Sequence, residues 1–127
     1  MAYRILVVDD SPMFRIVLKE MFELLEQNVV GEADCGEAAL EQFQKLKPEV
    51  VTLDISLPDI DGLTVFQQMK RLNPKIKVML VTGNDQDKVI EQAEELGALG
   101  LITKPIKKEQ LQEMLKKIDA LKPPAAG

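Results

Sequence analysis

The chain has 127 residues, of which 46% are hydrophobic and 29% are charged, a balance typical of one globular domain. The formal net charge of -5 argues against nonspecific nucleic-acid binding by this domain. With no histidine and a single cysteine, Cys35, the sequence excludes an internal disulfide, a zinc site and catalysis by a Ser-His or Cys-His pair. No apolar run approaches a membrane span and no signal peptide precedes the first strand, so we expect a cytoplasmic protein.

Two hydrophobic periodicities alternate along the chain. Short runs rich in β-branched residues predict five strands, at Ile5–Val8, Val29–Ala33, Val50–Leu53, Val78–Val81 and Leu99–Thr103. After each strand, apolar residues recur at intervals of three and four, most clearly from Phe14 to Leu25 and from Leu111 to Leu121. Strand-helix alternation of this kind predicts a parallel sheet with helices on both faces. The continuous apolar character of the strands also favours a sheet that is covered on both faces.

Cap and turn residues separate these elements. Ser11 followed by Pro12 predicts an N-cap with proline at the first helical position, and Asp85 is a candidate cap for the helix after the fourth strand. Other helices are predicted to close at Lys47-Pro48, Asn73-Pro74 and Leu96-Gly97. Residues 122–127 show neither pattern. We therefore expect a domain over residues 1–121, followed by a flexible tail or the start of a truncated linker.

Carboxylates follow two of the predicted strands. Asp9 and Asp10 leave the first strand and Asp54 leaves the third. The carboxyl edge of a parallel sheet is where open α/β proteins build their sites, and the first and third strands are neighbours at the switch point of a doubly wound sheet. Crowded carboxylates repel one another, and a hard divalent cation such as Mg²⁺ offsets that repulsion. A single acid at a strand end usually caps the next helix, but three at matched positions predict a Mg²⁺ site.

A lysine and a hydroxyl stand at the ends of the fifth and fourth predicted strands. Lys104 follows the fifth strand, where its ammonium can reach a phosphate, and a cis bond to Pro105 would aim it back over the sheet. Thr82 ends the fourth strand, and Gly83 beside it would allow close approach of an anion. The turn over residues 58–62 is a candidate wall of the same site. These residue types together predict metal-assisted phosphoryl transfer.

With these residues the chain resembles a response-regulator receiver domain, including the single-domain chemotaxis type. The resemblance covers about Arg4 to Leu121. Each matching fragment is weak alone, but together and in order they are specific. The fragments are Asp9-Asp10, Leu53-Asp54-Ile-Ser-Leu-Pro58 with Gly62, Val81-Thr82-Gly83 and Lys104-Pro105. The resemblance implies a flavodoxin-like (βα)5 fold, a doubly wound five-stranded parallel sheet with strand order 2-1-3-4-5.

The resemblance also implies a phosphoryl-transfer reaction. Asp54 would accept a phosphoryl group from the phosphohistidine of a sensor histidine kinase or phosphotransfer protein. Lys104 would pair with that group, and Thr82 would move toward it. The face formed by residues 85–121 would then change its affinity for a downstream protein or a fused output domain. The implied Mg²⁺ ligands are Asp10, Asp54, the backbone carbonyl of Ser56 and, largely through water, Asp9.

Some positions depart from the family pattern or tune it. Leu101 stands where an aromatic residue is usual, and Ile106 where phenylalanine is usual, so the common coupling between threonine and an aromatic ring is in question here. The resemblance implies that Ser56 and Asn84 would flank the path of attacking water, at positions that tune the lifetime of the phosphoryl group in the family.

Two other classes of protein compete with a signalling phosphoacceptor that catalyses only its own phosphorylation and dephosphorylation. One is a receiver-like binding module that no longer takes phosphate, against which the retained acids, Thr82 and Lys104 argue. The other is a phosphatase of the haloacid-dehalogenase type, which would require an Asp-x-Asp motif after the first strand and a cap insertion. A flavin carrier is disfavoured because no Ser/Thr-rich phosphate loop follows the first strand and few aromatic residues could stack on a flavin.

Overall fold

The structure is a computed structural model that describes residues 2–83 and 87–121, with only the backbone of residues 87–90. Strands and helices alternate as β1 Arg4–Val8, α1 Pro12–Leu24, β2 Asn28–Ala33, α2 Gly36–Leu46, β3 Val50–Asp54, α3 Gly62–Leu72, β4 Lys77–Thr82, α4 Asp87–Glu95, β5 Gly100–Thr103 and α5 Lys108–Leu121. Each predicted strand is present, with bounds within one residue of those expected from the sequence.

The five strands form one parallel sheet in the order β2-β1-β3-β4-β5, which confirms the predicted fold. The chain moves outward from β1 to β2, then returns to place β3 on the other side of β1. This reversal of direction makes the β1–β3 junction the switch point, where the loops that follow the two strands diverge and leave a crevice.

Two hydrophobic layers cover the sheet. On one face, Leu18 and Phe22 of α1 pack with Leu111 and Ile118 of α5 against side chains such as Ile5 of β1. On the other face, helices α2, α3 and α4 pack against the alternate strand residues, through Phe43, Phe66, Met69 and Ala93. Because successive strand residues point to opposite faces, both layers are built from the same continuous apolar runs.

Burial differs between the central and the edge strands. The apolar residues of β1, β3 and β4 are buried, as expected for strands covered by helices on both faces. The edge strands β2 and β5 are only partly buried over most of their length. The prediction of a sheet with helices on both faces is therefore confirmed, and coverage is most complete on the three central strands, which carry the acids and the hydroxyl.

Local capping fixes where several helices begin. The Ser11 side chain accepts a hydrogen bond from the Phe14 N–H at 3.2 Å, and Pro12 occupies the first helical position, as predicted. Cys35 caps α2 through its sulfur, which accepts a hydrogen bond from Ala38 N–H. The predicted cap Asp85 lies outside the described residues. In the described part of the chain, no helix has the length and apolar character needed to cross a membrane.

Candidate functional site

The three predicted acids meet at the carboxyl edge of the sheet. Asp9 follows β1 directly, Asp10 is the next residue, and Asp54 is the last residue of β3. One carboxylate oxygen from each lies within 4.8 Å of the others. Asp9 and Asp54 are buried, with 1% and 3% of their surface exposed, whereas Asp10 is exposed to solvent. The structure therefore brings together charges from segments more than 40 residues apart. We call Asp9, Asp10 and Asp54 the acid cluster.

The two buried acids are oriented by the same local hydrogen-bond pattern. Asp9 Oδ1 accepts a hydrogen bond from Ser11 N–H at 2.8 Å, and Asp54 Oδ1 accepts one from Ser56 N–H at 2.9 Å. In both cases the donor lies two residues after the acid, the geometry of an Asx turn. One oxygen of each carboxylate is thus held by the backbone, which leaves Oδ2 of each available to the crevice.

Lys104 completes the cluster from the far end of the sheet. Its Nζ lies 3.0 Å from Asp9 Oδ2 and 3.3 Å from Asp54 Oδ2. Its backbone N–H donates to the Thr82 carbonyl at 2.8 Å, which fixes the start of the side chain beside β4. The peptide bond from Lys104 to Pro105 is cis, the isomer that the sequence left open.

Burial and the charge of neighbouring groups shift the pKa values of Asp9 and Lys104 in opposite directions. Burial raises the pKa of Asp9 above its usual range, although the Ser11 N–H and the Lys104 ammonium both oppose that shift. Burial alone would lower the pKa of Lys104, but the carboxylates of Asp9 and Asp54 outweigh it and raise that pKa. The lysine is therefore firmly cationic at neutral pH, and its positive charge opposes the effect of burial on the pKa of Asp9.

Two residues of α1 support this arrangement, although nothing in the sequence indicated that they belong to the site. The Phe14 ring lies under the Lys104 ammonium, with Nζ 4.2 Å from the ring centroid. Arg15 donates from Nη1 to the Asp9 carbonyl oxygen at 2.6 Å and pairs through Nε with Glu32 at 2.7 Å. The regular apolar spacing of α1 predicted Phe14 only as a core residue. No local pattern indicated Arg15, because its partners are Asp9, directly after β1, and Glu32, on β2.

The residues predicted to report phosphorylation lie on the two strands beyond the acid cluster, β4 and β5. Thr82 is buried at the end of β4, and Leu101 is partly buried on β5. A Cβ added to Gly83 would meet no atom within 4 Å, so this glycine is not required by local packing in the described part of the chain. Asn84 lies outside the described residues.

The turn at residues 58–62, a candidate wall of the site, caps two helices. Asp59 accepts hydrogen bonds from the N–H groups of Gly36 at 2.7 Å and Glu37 at 2.9 Å, at the start of α2. These hydrogen bonds lower the pKa of Asp59. Asp61 caps α3 through Leu63 N–H. A Cβ on Gly62 would lie 2.6 Å from the Asp54 carbonyl oxygen, so glycine is needed for α3 to begin this close to the phosphoacceptor candidate.

The donor set fits a hard divalent cation. Three carboxylate oxygens are gathered within 4.8 Å, and oxygen ligands are those preferred by Mg²⁺. Asp9 Oδ2 is buried and accepts no hydrogen bond from the described residues, although the Lys104 ammonium lies beside it. Lys104 is the ion-pair partner of this buried oxygen, and a divalent cation or its water shell would add a further contact to it.

The fold and this acidic crevice point to one class of protein, and sequence comparison identifies it. Residues 5–116 match the response regulator receiver domain family, and the chain belongs to that family. It is 31% identical to chemotaxis protein CheY of Thermotoga maritima over 118 residues, which is 93% of this chain and 98% of the relative. Membership confirms the resemblance seen in the sequence and gives no support to a phosphatase or a flavin carrier.

Solved structures lead to the same family. The signal receiver domain of the response regulator NarL from Mycobacterium tuberculosis superposes with a TM-score of 0.86 and 30% identity, over 95% of this chain and 98% of that one. The isolated receiver domain of RcsB from Salmonella enterica serovar Typhimurium, solved with the phosphomimetic BeF3-, gives a TM-score of 0.88 at 25% identity and covers 96% and 91%. The chain is therefore a receiver domain of two-component signalling.

Proposed function

We propose that Asp54 is the phosphoacceptor of this receiver domain. The observation that carries the proposal is the position of the Lys104 ammonium, 3.3 Å from Asp54 Oδ2 and 3.0 Å from Asp9 Oδ2. Asp54 lies at the switch point of the sheet and one of its oxygens is held by a backbone N–H, so its carboxylate is oriented before any donor arrives.

The reaction requires little covalent chemistry from the protein. A carboxylate oxygen of Asp54 forms a bond to phosphorus while the phosphorus–nitrogen bond of a donor phosphohistidine breaks, and the bonding pair stays on the imidazole nitrogen. Lys104 would contact the incoming phosphoryl oxygens, and the Thr82 hydroxyl would donate to one of them. The protein acts as a signalling phosphoacceptor, whose own phosphorylation and dephosphorylation are the only reactions that it catalyses.

The acid cluster would hold Mg²⁺ beside the acceptor. The proposed ligands are Asp10, Asp54, the backbone carbonyl of Ser56 and Asp9, the last largely through water. When bound, the ion supplies positive charge that offsets both the clustered carboxylates and the phosphoryl oxygens. Lys104 and the backbone donors at Ser11 and Ser56 keep the carboxylates in place around it.

The output of phosphorylation would pass through the face formed by residues 85–121. A cavity of about 350 Å³ lies on this side of the molecule, lined by residues that include Leu101, Ala93 and Met114. Space next to Leu101 would let Thr82 and β5 rearrange after phosphorylation without an aromatic ring. We propose that this rearrangement changes the affinity of the face for a downstream protein or fused output domain.

The phosphoryl donor and the bounds of the domain complete the proposed function. The phosphoryl donor would be a sensor histidine kinase or a phosphotransfer protein in the cytoplasm. This domain would contact neither a membrane nor nucleic acid directly. Residues 1–121 would form the receiver domain. Residues 122–127, which lie outside the described residues, would serve as a tail or as the start of a linker.

Acetyl phosphate, a small-molecule donor, tests the proposal without the kinase. Incubation with Mg²⁺ should add one base-labile phosphoryl group to the parent protein by intact-mass spectrometry. Asp54→Asn should abolish the addition, because the nucleophilic carboxylate is gone. The exposed acid Asp34 lies outside the cluster, and Asp34→Asn should leave the addition unchanged. No adduct on the parent protein, or an undiminished adduct on Asp54→Asn, would contradict the proposal.

A further inference from the structure

We propose that Phe14 is a positioning residue for phosphoryl transfer, because its ring holds the Lys104 ammonium over the acid cluster. This inference rests on the proposed function of Asp54 and concerns the residue that orients its cationic partner. The ring centroid lies 4.2 Å from Lys104 Nζ, within the range in which a cation is attracted to the face of an aromatic ring.

Four contacts link Phe14 to the acid cluster in a closed circuit. Asp9 Oδ1 accepts from Ser11 N–H, and the Ser11 side chain accepts from Phe14 N–H at the first turn of α1. The Phe14 ring then contacts Lys104 Nζ, which returns to Asp9 Oδ2 at 3.0 Å. The ring is therefore placed relative to the buried acid by the backbone of α1, and not by packing alone.

The ring also limits the positions that the ammonium can occupy. The Lys104 side chain is only 26% exposed, with the carboxylates of Asp9 and Asp54 and the face of Phe14 among its neighbours. A lysine side chain has several rotatable bonds, so an ammonium without such contacts would sample many positions. An aromatic face excludes water from one side of the cation, which strengthens its attraction to nearby negative oxygens.

This contact matters most once the acceptor carries a phosphoryl group. The Asp54 oxygen that forms the new bond then loses its charge, so part of the attraction that held Lys104 moves to the phosphoryl oxygens. Asp9 and the Phe14 ring are unchanged by the reaction. They would keep the ammonium close to the acceptor while the charge is redistributed.

A fluorination series at position 14 separates this role from ordinary packing. Phenylalanine analogues with one, two and three ring fluorines keep nearly the same shape but progressively weaken the negative face of the ring. With phosphoramidate as the donor and saturating Mg²⁺, the rate of Asp54 phosphorylation should fall stepwise, by about two- to fivefold over the series. Phe14→Leu should fall to a similar level, and Phe14→Tyr should stay near the parent rate.

The matched control places the same analogues at Phe43, which packs in the hydrophobic layer on the opposite face of the sheet. That series should leave the phosphorylation rate unchanged. Rates at position 14 that do not follow the number of fluorines, or an equal fall at position 43, would overturn the inference.

A second measurement does not depend on phosphorylation. Ring currents from Phe14 should shift the ε-methylene proton resonances of Lys104 upfield in the parent protein, and Phe14→Leu should remove that shift. An unshifted Lys104 in the parent protein would overturn the inference even if Asp54 is phosphorylated. If the parent protein takes no phosphoryl group while the upfield shift is present, the proposed function of Asp54 fails and the contact between ring and ammonium stands.

Discussion

The acid cluster at the ends of β1 and β3 and the edge strand β5 around Leu101 are held in different ways. Asp9 and Asp54 are each fixed by a backbone N–H two residues ahead and by Lys104. Leu101, in contrast, lines a cavity of about 350 Å³ on the partly buried edge strand β5. The groups proposed to carry out phosphoryl transfer are thus preorganised. The region around Leu101, proposed to transmit the effect of phosphorylation, has room to rearrange. Preorganised charge favours the reaction, and a loosely packed neighbour allows a change of state.

Removal of the lysine should have the largest effect on the preorganised side. Lys104→Met retains an apolar stem near Phe14 but removes the cation. We expect phosphorylation by acetyl phosphate to slow about ten- to hundredfold, because a charged contact to the phosphoryl oxygens is lost. The protein should also lose stability, since Asp9 becomes a buried carboxylate without its ion-pair partner. Lys107→Met, at an exposed lysine, should change neither the rate nor the melting temperature.

A pair of enlarged leucines tests the difference in packing directly. Leu53 lies on β3 with no exposed surface, so Leu53→Phe should cost about 1–3 kcal/mol of folding free energy through overpacking. Leu101→Phe can extend toward the cavity and should cost less than about 1 kcal/mol. Urea denaturation of both variants provides the measurement. Equal costs would mean that the two sides are packed alike.

Relief of charge crowding should give a smaller effect. In the absence of Mg²⁺, Asp10→Asn or Asp54→Asn should raise the melting temperature by about 2–5 °C, because each removes one of three clustered negative charges. Mg²⁺ should then stabilise the parent protein more than either variant. Glu41→Gln, an exposed charge on α2, serves as the control. An unchanged or lowered melting temperature at neutral pH would show that Lys104 already offsets the repulsion.

The smallest effect is expected beneath the site, in the centre of β3. The Thr52 hydroxyl is fully buried and has no hydrogen-bond partner among the described residues. Thr52→Val keeps the shape and removes the unpaired polar group, so the free energy of unfolding should rise by about 1 kcal/mol. Thr64→Val on α3 is a comparison outside the sheet. A loss of stability in Thr52→Val would mean that the hydroxyl is satisfied in solution.

The sequence predicted the fold and the members of the acid cluster for a physical reason. Apolar runs alternating with helical stripes restrict the chain to a parallel sheet, and parallel strands end at one edge. Asp9, Asp54 and Lys104 could therefore be expected to meet although they are distant in the chain. The cis bond at Pro105 was an open alternative, because the residue type permits both isomers.

The supporting contacts could not be predicted in the same way. Phe14 fits the apolar stripe of α1, and only the structure shows that its face meets the Lys104 ammonium, from the residue after β5. Asp59 belongs to a turn by its local sequence, yet its hydrogen bonds reach the start of α2, 22 and 23 residues earlier in the chain. Such contacts depend on how elements pack against each other, and periodicity within one element does not report that packing.

Mapping the modified residue tests most directly whether this cluster is built to phosphorylate Asp54. After treatment with acetyl phosphate and Mg²⁺, borohydride reduces an acyl phosphate to an alcohol and so marks its position permanently. Peptide mass spectrometry of the parent protein should then find homoserine at position 54 and aspartate at positions 9, 10 and 59. Homoserine at another of these acids, or at none of them, would contradict the account.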